Sequence, residues 1–233
     1  MKSLLVNLAC VLSIFGISAC AARAPLPAGP GRAALSARIR AKPELAVLFV
    51  GNSYSFGLPK AFSKLAAAQG KKVRVGHATY GGWTLKQHAA NAPTLRKIRD
   101  GHWDIVVIQE QSEIPAMSAR NRAVAMFPPL RQLVAEARQQ DAIPMLYQTW
   151  GRRDGDPKLR KDDFHAMTAR LRAGYQAAAK DAGNLVVVPV GDAWEREISA
   201  GRGSGLFMPD GSHPTPRGNE LTAETFFAAF FHE

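Results

Sequence analysis

The chain has 233 residues, of which 46% are hydrophobic and 21% charged. Those proportions exclude a disordered or fibrous chain and are enough to bury one core, so a single globular domain is expected. A formal charge of +11 would suit nucleic acid, but basic groups such as Arg96, Lys97, Arg152, Arg153, Lys158 and Lys161 are scattered. No aromatic interleaving forms a base-stacking platform, which argues against a nucleic-acid partner.

Lys2 supplies a short positive start, and Leu4 to Ile17 is apolar with few interruptions. Ile17-Ser18-Ala19-Cys20 then places small residues directly before a cysteine. An apolar run this short reads as a secretory leader over residues 1–19 and not as a spanning helix. Its ending resembles a bacterial lipobox, which implies cleavage before Cys20 and acylation of its thiol. The membrane would then be a partner through an N-terminal lipid anchor. Ala21 in place of aspartate implies sorting to the outer membrane where the host has one. The other cysteine, Cys10, lies within the leader. No thiol remains for a disulfide, a metal site or nucleophilic chemistry.

From Cys20 to Lys42 the sequence is rich in Ala, Pro, Gly and Arg, with Pro25, Pro27 and Pro30 closely spaced. It reads as a flexible tether, leaving residues 43–233 as the folded domain. Leu45 to Val50 is a continuous apolar run ended by Gly51, as expected of a strand buried on both faces. Similar runs follow at Val73 to Ala78, Ile105 to Ile108, Ile143 to Tyr147 and Leu185 to Val190. Stretches of helical length lie between and after them: Ala61 to Gln69, Leu85 to Arg99, Arg122 to Gln140, Asp163 to Ala182 and Asn219 to Phe231. Thr215-Pro216 offers the last helix a capping hydroxyl and a first-turn proline. Five alternations of strand and helix predict a parallel sheet covered on both faces, because parallel neighbours need crossovers. Sites in such sheets form beyond the carboxyl ends of the strands.

Four segments fall at those ends. Gly51-Asn52-Ser53 follows the first strand, where a serine at a strand-to-helix turn is exposed beside free amides. Tyr80-Gly81-Gly82-Trp83-Thr84 follows the second, and a glycine there lets a backbone N–H approach a ligand. Gln109-Glu110-Gln111-Ser112 follows the third and carries carboxamide donors. Asp210-Gly211-Ser212-His213 follows the last, where an aspartate three residues before a histidine can hold the imidazole tautomer. Each segment also has an ordinary reading as a turn, a cap or a polar strand end. His77, His88, His102 and His165 share no ligand spacing, so no metal is expected. Glu110 and Glu113 lack a second acid of convincing placement for two-carboxylate glycoside chemistry. Phe226, Phe227, Phe230 and Phe231 recur at helical spacing, as core residues do.

Taken together and in this order, the four segments resemble the SGNH hydrolases, the GDSL-like esterases and lipases. The likeness runs from Leu48 to about Leu221. Phe49 to Tyr54, Trp103 to Ser112 and Tyr147 to Trp150 also look like one uncharacterised bacterial subgroup. The resemblance implies a flavodoxin-like three-layer α/β/α sandwich with a five-stranded parallel sheet. It also implies a catalytic triad of Ser53, Asp210 and His213. The oxyanion hole would be formed by the Ser53 and Gly82 amides and the Gln111 side chain, with Gly81 and Gln109 as the alternatives. Two departures stand out: Asn52 replaces a frequent Asp, and Gln109-Glu110-Gln111-Ser112 replaces Gly-x-Asn-Asp. Asn52 and Trp150 are expected to touch substrate, Trp150 as a stacking surface. The expected activity is cleavage of carboxylic esters, with carbohydrate O-acyl groups favoured and lipid or thioester substrates as the alternative. A non-catalytic glycan-binding module on the same scaffold is the reading from another class. No cofactor is needed, the ester substrate is a small molecule or glycan, and a monomer is expected.

Overall fold

The computed structural model describes residues 32–231. The leader, Cys20 and the first part of the tether lie outside the described residues. Five strands form one sheet: β1 (Leu45–Gly51), β2 (Val73–Thr79), β3 (Ile105–Ile108), β4 (Ile143–Tyr147) and β5 (Val186–Val188). Every neighbouring pair is parallel and the order is β2-β1-β3-β4-β5. This is the flavodoxin-like order, in which the chain reverses its direction of travel across the sheet beside β1.

All seven residues of β1 are buried, because alternate side chains enter two separate cores. Val47 and Phe49 face one core with Phe62, Trp194, Phe226 and Phe230. Leu48 and Val50 face the other with Leu85, Ile98, Leu130 and Tyr175. The first core is closed by helices α1 (Arg32–Arg40), α2 (Leu58–Ala68), α8 (Val190–Ser199) and α9 (Pro216–Phe231). The second is closed by α3 (Leu85–Ala90), α4 (Ala92–Asp100), α6 (Phe127–Gln139) and α7 (Phe164–Asp181), while α5 (Ala119–Ala125) touches its margin through Ala125. The chain is therefore a three-layer α/β/α sandwich.

Several boundaries differ from the sequence reading, each for a local reason. The expected tether ends early: α1 buries Leu35 and Ile39 in the first core. Their i,i+4 spacing gives one narrow apolar stripe, too little to stand out among Arg and Ala. Lys42 and Arg38 tie this segment down further, through ion pairs with Asp104 and Asp141 at 2.8 Å each. The folded domain thus begins by Arg32, not at residue 43. The stretch from Leu85 to Arg99 is two helices, because Asn91 caps α4, its Oδ1 accepting from the Thr94 N–H at 2.8 Å. That from Arg122 to Gln140 is also two, with Pro128 and Pro129 in the first turn of α6. The last apolar run stops as a strand at Val188. Its continuation, Val190, begins α8, a helix hidden by the run of valines.

Candidate active site

The Ser53 turn follows β1 directly. Gly51 ends the strand and Asn52 caps a short 3-10 turn over Ser53–Ser55, its Oδ1 accepting from the Tyr54 N–H at 3.1 Å. The other end of that amide, Nδ2, donates to the Trp83 carbonyl at 3.2 Å. Asn52 is buried with both ends of its side chain engaged. It therefore pins the Ser53 turn to the glycine loop and is not a substrate contact. That corrects the sequence expectation.

Gln109 has a comparable role. Its Oε1 accepts from the Asn52 N–H at 2.9 Å and from Ser55 Oγ at 3.0 Å, while its Nε2 donates to the Glu110 carbonyl. A Cβ on Gly51 would meet that Oε1 at 2.4 Å, so the glycine is required by Gln109's approach. With all its polar atoms spent in the interior, Gln109 is not the side chain facing solvent. Gln111 is half-buried, and its Oε1 accepts from the Glu113 N–H at 2.8 Å. That bond leaves the Nε2 end as the donor directed elsewhere.

On the second loop Gly82 has φ of +72°, a conformation that favours glycine, and nothing lies within 4 Å of its absent Cβ. Gly81 lacks the positive φ, which separates the two candidates. The loop is held by Thr84, which forms a capping box with Gln87 on α3, and by Tyr80 stacked on Trp83 at 4.1 Å. Beneath it, buried His88 reaches the Gly51 carbonyl at 2.9 Å from Nε2, and burial lowers its pKa.

The last loop, Phe207 to Thr215, brings the chain's far end to Ser53. Ser53 Oγ lies 2.9 Å from His213 Nε2, and His213 Nδ1 lies 2.6 Å from Asp210 Oδ2. Asp210 Oδ1 also accepts from the Ser212 and His213 N–H groups at 2.9 and 3.0 Å. Burial pushes this carboxyl up, but the His213 side chain and the two N–H groups outweigh it and hold it down at about 2. An ionised Asp210 selects the Nδ1–H tautomer, leaving Nε2 to accept the Ser53 proton. Gly211, at φ of +68°, lets the loop fold back. Thr215 caps α9, its Oγ1 accepting from the Gly218 N–H at 3.2 Å.

Trp150 is wholly buried and is not the stacking surface the sequence suggested. Its indole lies 3.8 Å from that of Trp194 at an angle of 5°, and its other face stacks on Tyr54 at 4.9 Å. Tyr54 meets the His213 ring edge-on at 5.4 Å and its hydroxyl bonds Ser212 Oγ. The aromatic column is therefore the backing of the histidine loop. Tyr54, Ser212 and His88 were missed in the sequence because aromatic and hydroxyl residues carry no spacing signal of their own. The exposed apolar groups Phe56, Tyr80 and Met208 stand instead on the three loops that bear Ser53, Gly82 and Asp210.

No protein-family model and no curated protein sequence matches the chain. Solved structures do resemble it. A DUF4886 family protein from Bacteroides uniformis superposes with a TM-score of 0.71 at 21% identity, over 82% of this chain and 84% of that one. An acetyl-xylooligosaccharide esterase from Geobacillus gives 0.62 at 16% identity, over 81% and 95%. The lipase/acylhydrolase from Enterococcus faecalis gives 0.57 at 21% identity, over 78% and 93%. On this sheet order and these likenesses, the chain has the fold of the SGNH, or GDSL-like, hydrolases.

Proposed function

We propose that the chain is a serine hydrolase of carboxylic esters, with Ser53 as nucleophile, His213 as general base and Asp210 as its orienting carboxylate. One observation carries the reading. Two hydrogen bonds, of 2.9 and 2.6 Å, join three side chains from opposite ends of the domain into an unbroken proton path. Unrelated loop residues have no packing reason to form that chain.

In the reaction His213 takes the Ser53 proton as Oγ attacks the ester carbonyl. Charge developing on the carbonyl oxygen is met by the Ser53 and Gly82 N–H groups and by Gln111 Nε2. His213 then gives the proton to the leaving alkoxide, and water activated by the same imidazole releases the acid. No step calls on a cofactor.

For substrate, we favour O-acyl groups on carbohydrate, acetyl above all. Likeness to an acetyl-xylooligosaccharide esterase and an acetyl xylan esterase supports this choice. Phe56, Tyr80 and Met208 favour a second reading, an ester with a longer apolar acyl group, as in a lipase. We also propose that Cys20 is acylated, which would hold the enzyme in the cell envelope.

The first experiment is labelling by a fluorophosphonate probe, with p-nitrophenyl acetate turnover alongside, for wild type and Ser53→Ala. The expected result is labelling of wild type only, and turnover lower by about 10³-fold or more in the variant. A folded wild type that neither labels nor turns over would sink the reading and leave a glycan-binding module in its place. Acyl-chain-length profiling separates acetyl from longer esters.

A further inference from the structure

Glu110 lies two residues beyond β3 with its side chain wholly buried, in a place where a well-packed apolar residue would be cheaper to hold. Its Oε1 accepts from two backbone N–H groups that belong to different loops. One is Leu85, the first residue of α3, at 2.9 Å; the other is Gln111, at 2.7 Å. Its Oε2 is buried and has no hydrogen-bond partner among the described residues. The peptide on which it stands is fixed as well: its N–H donates to Tyr175 Oη at 3.3 Å and its carbonyl accepts from Gln109.

One oxygen atom thus joins the loop carrying Gly82 to the segment carrying Gln111. Leu85 follows Gly82 by three residues, through the Thr84 cap, so holding its N–H fixes the exit of the glycine loop. Holding the Gln111 N–H fixes the peptide from which the carboxamide extends. An oxyanion hole depends on donors converging on one point about 3 Å away, and loses its effect when they drift apart.

We propose that Glu110 is a positioning residue, whose Oε1 sets the spacing between the Gly82 amide and the Gln111 carboxamide. The role rests on the ester-hydrolase reading and deepens it. Burial pushes the Glu110 carboxyl up to about 7 against the pull of the two N–H groups. A group so costly to keep is placed for what it holds. What it supplies is an acceptor, which a glutamine at this position would also provide.

The test uses the full chain as wild type, Glu110→Gln and Glu110→Leu, with p-nitrophenyl acetate turnover normalised to fluorophosphonate-labelled sites. The leucine has no acceptor, and its kcat should fall about 10²-fold with KM within about threefold, the signature of a lost transition-state contact. The glutamine should recover kcat to within about fivefold of wild type. A Glu110→Leu enzyme with wild-type kcat, a loss confined to KM, or a glutamine variant as slow as the leucine each overturns the proposal. Should the leucine variant not fold, amide exchange decides. Slowly exchanging Leu85 and Gln111 amides in both wild type and Glu110→Gln sustain the role, and fast exchange at either in wild type overturns it. An active wild type with an unaffected leucine variant removes only this role, whereas a wild type that neither labels nor turns over removes the ester-hydrolase reading with it.

Discussion

The indole Nε1–H of Trp150 donates to the Ser212 carbonyl at 3.1 Å, one residue before the histidine that reaches Ser53. The bond ties the segment after β4 to the loop before α9, so the His213 loop is steadied by the core as well as by its own Asp210. Removing the indole donor leaves the Ser212 carbonyl without that partner, at a cost of about 1–3 kcal/mol. Trp150→Phe is therefore expected to melt at lower temperature and to turn over several-fold more slowly, with probe labelling retained. Thermal denaturation and steady-state kinetics on the same sample check both. Unchanged turnover would mean that the column does not set the position of His213.

Asp210 is held down at about 2, below the ordinary aspartate value of 3.8. A depressed carboxyl adds stability that is complete above its unfolded pKa and is lost as pH falls through the folded one. Asp210 thus stays ionised between pH 7 and pH 4, and any acid loss of activity in that range has another origin. Asp210→Asn would favour the wrong imidazole tautomer, and kcat should drop about 10²–10⁴-fold across that range. A pH–rate profile of the variant against wild type tests this.

Glu110 has the opposite sign. Its folded pKa of about 7 exceeds the ordinary 4.5 because burial penalises the charge. Between those values the folded state binds more protons than the unfolded one, so stability falls as pH rises through the window. The contribution is on the order of 3 kcal/mol at its fullest. Wild type should melt at lower temperature at pH 8 than at pH 5, and Glu110→Gln should flatten that slope. Calorimetry at the two pH values settles it, and equal slopes would contradict the assignment.

Leu35 is 1% exposed, on a helix the composition disguised. Leu35→Ala should cost about 2–5 kcal/mol, the usual penalty for a buried leucine, while leaving turnover in the folded fraction intact. Denaturant titration measures it. A midpoint matching wild type would return α1 to the status of a linker.

The strands were legible in the sequence because a parallel sheet buried on both faces leaves continuous apolar runs, and each of the five reappears within two residues of its expected ends. The resemblance pointed to Ser53, Asp210 and His213, and the structure brings their three side chains together, the last two beyond α8 and not directly after a strand. What stayed hidden has a common cause. The roles of Asn52, Gln109 and Trp150 depend on which atoms each side chain meets across the fold, and spacing along the chain carries no record of that. Trp150 in particular follows a strand as a ligand-facing residue would. Only the turn of its ring toward Trp194 and Tyr54 places it inside. The α1 and α8 helices were lost differently, one to a two-residue apolar stripe and the other to a run of valines that reads as strand throughout.

Two indoles lying face to face 3.8 Å apart, one of them bonded to the histidine loop, also give the protein an optical property. Light absorbed or emitted by this buried pair is sensitive to the surroundings of its indoles, and the Ser212 carbonyl is the hydrogen-bond acceptor of one of them. Tryptophan emission should therefore change when the loop bearing His213 lifts from the core, with no substrate, probe or label added.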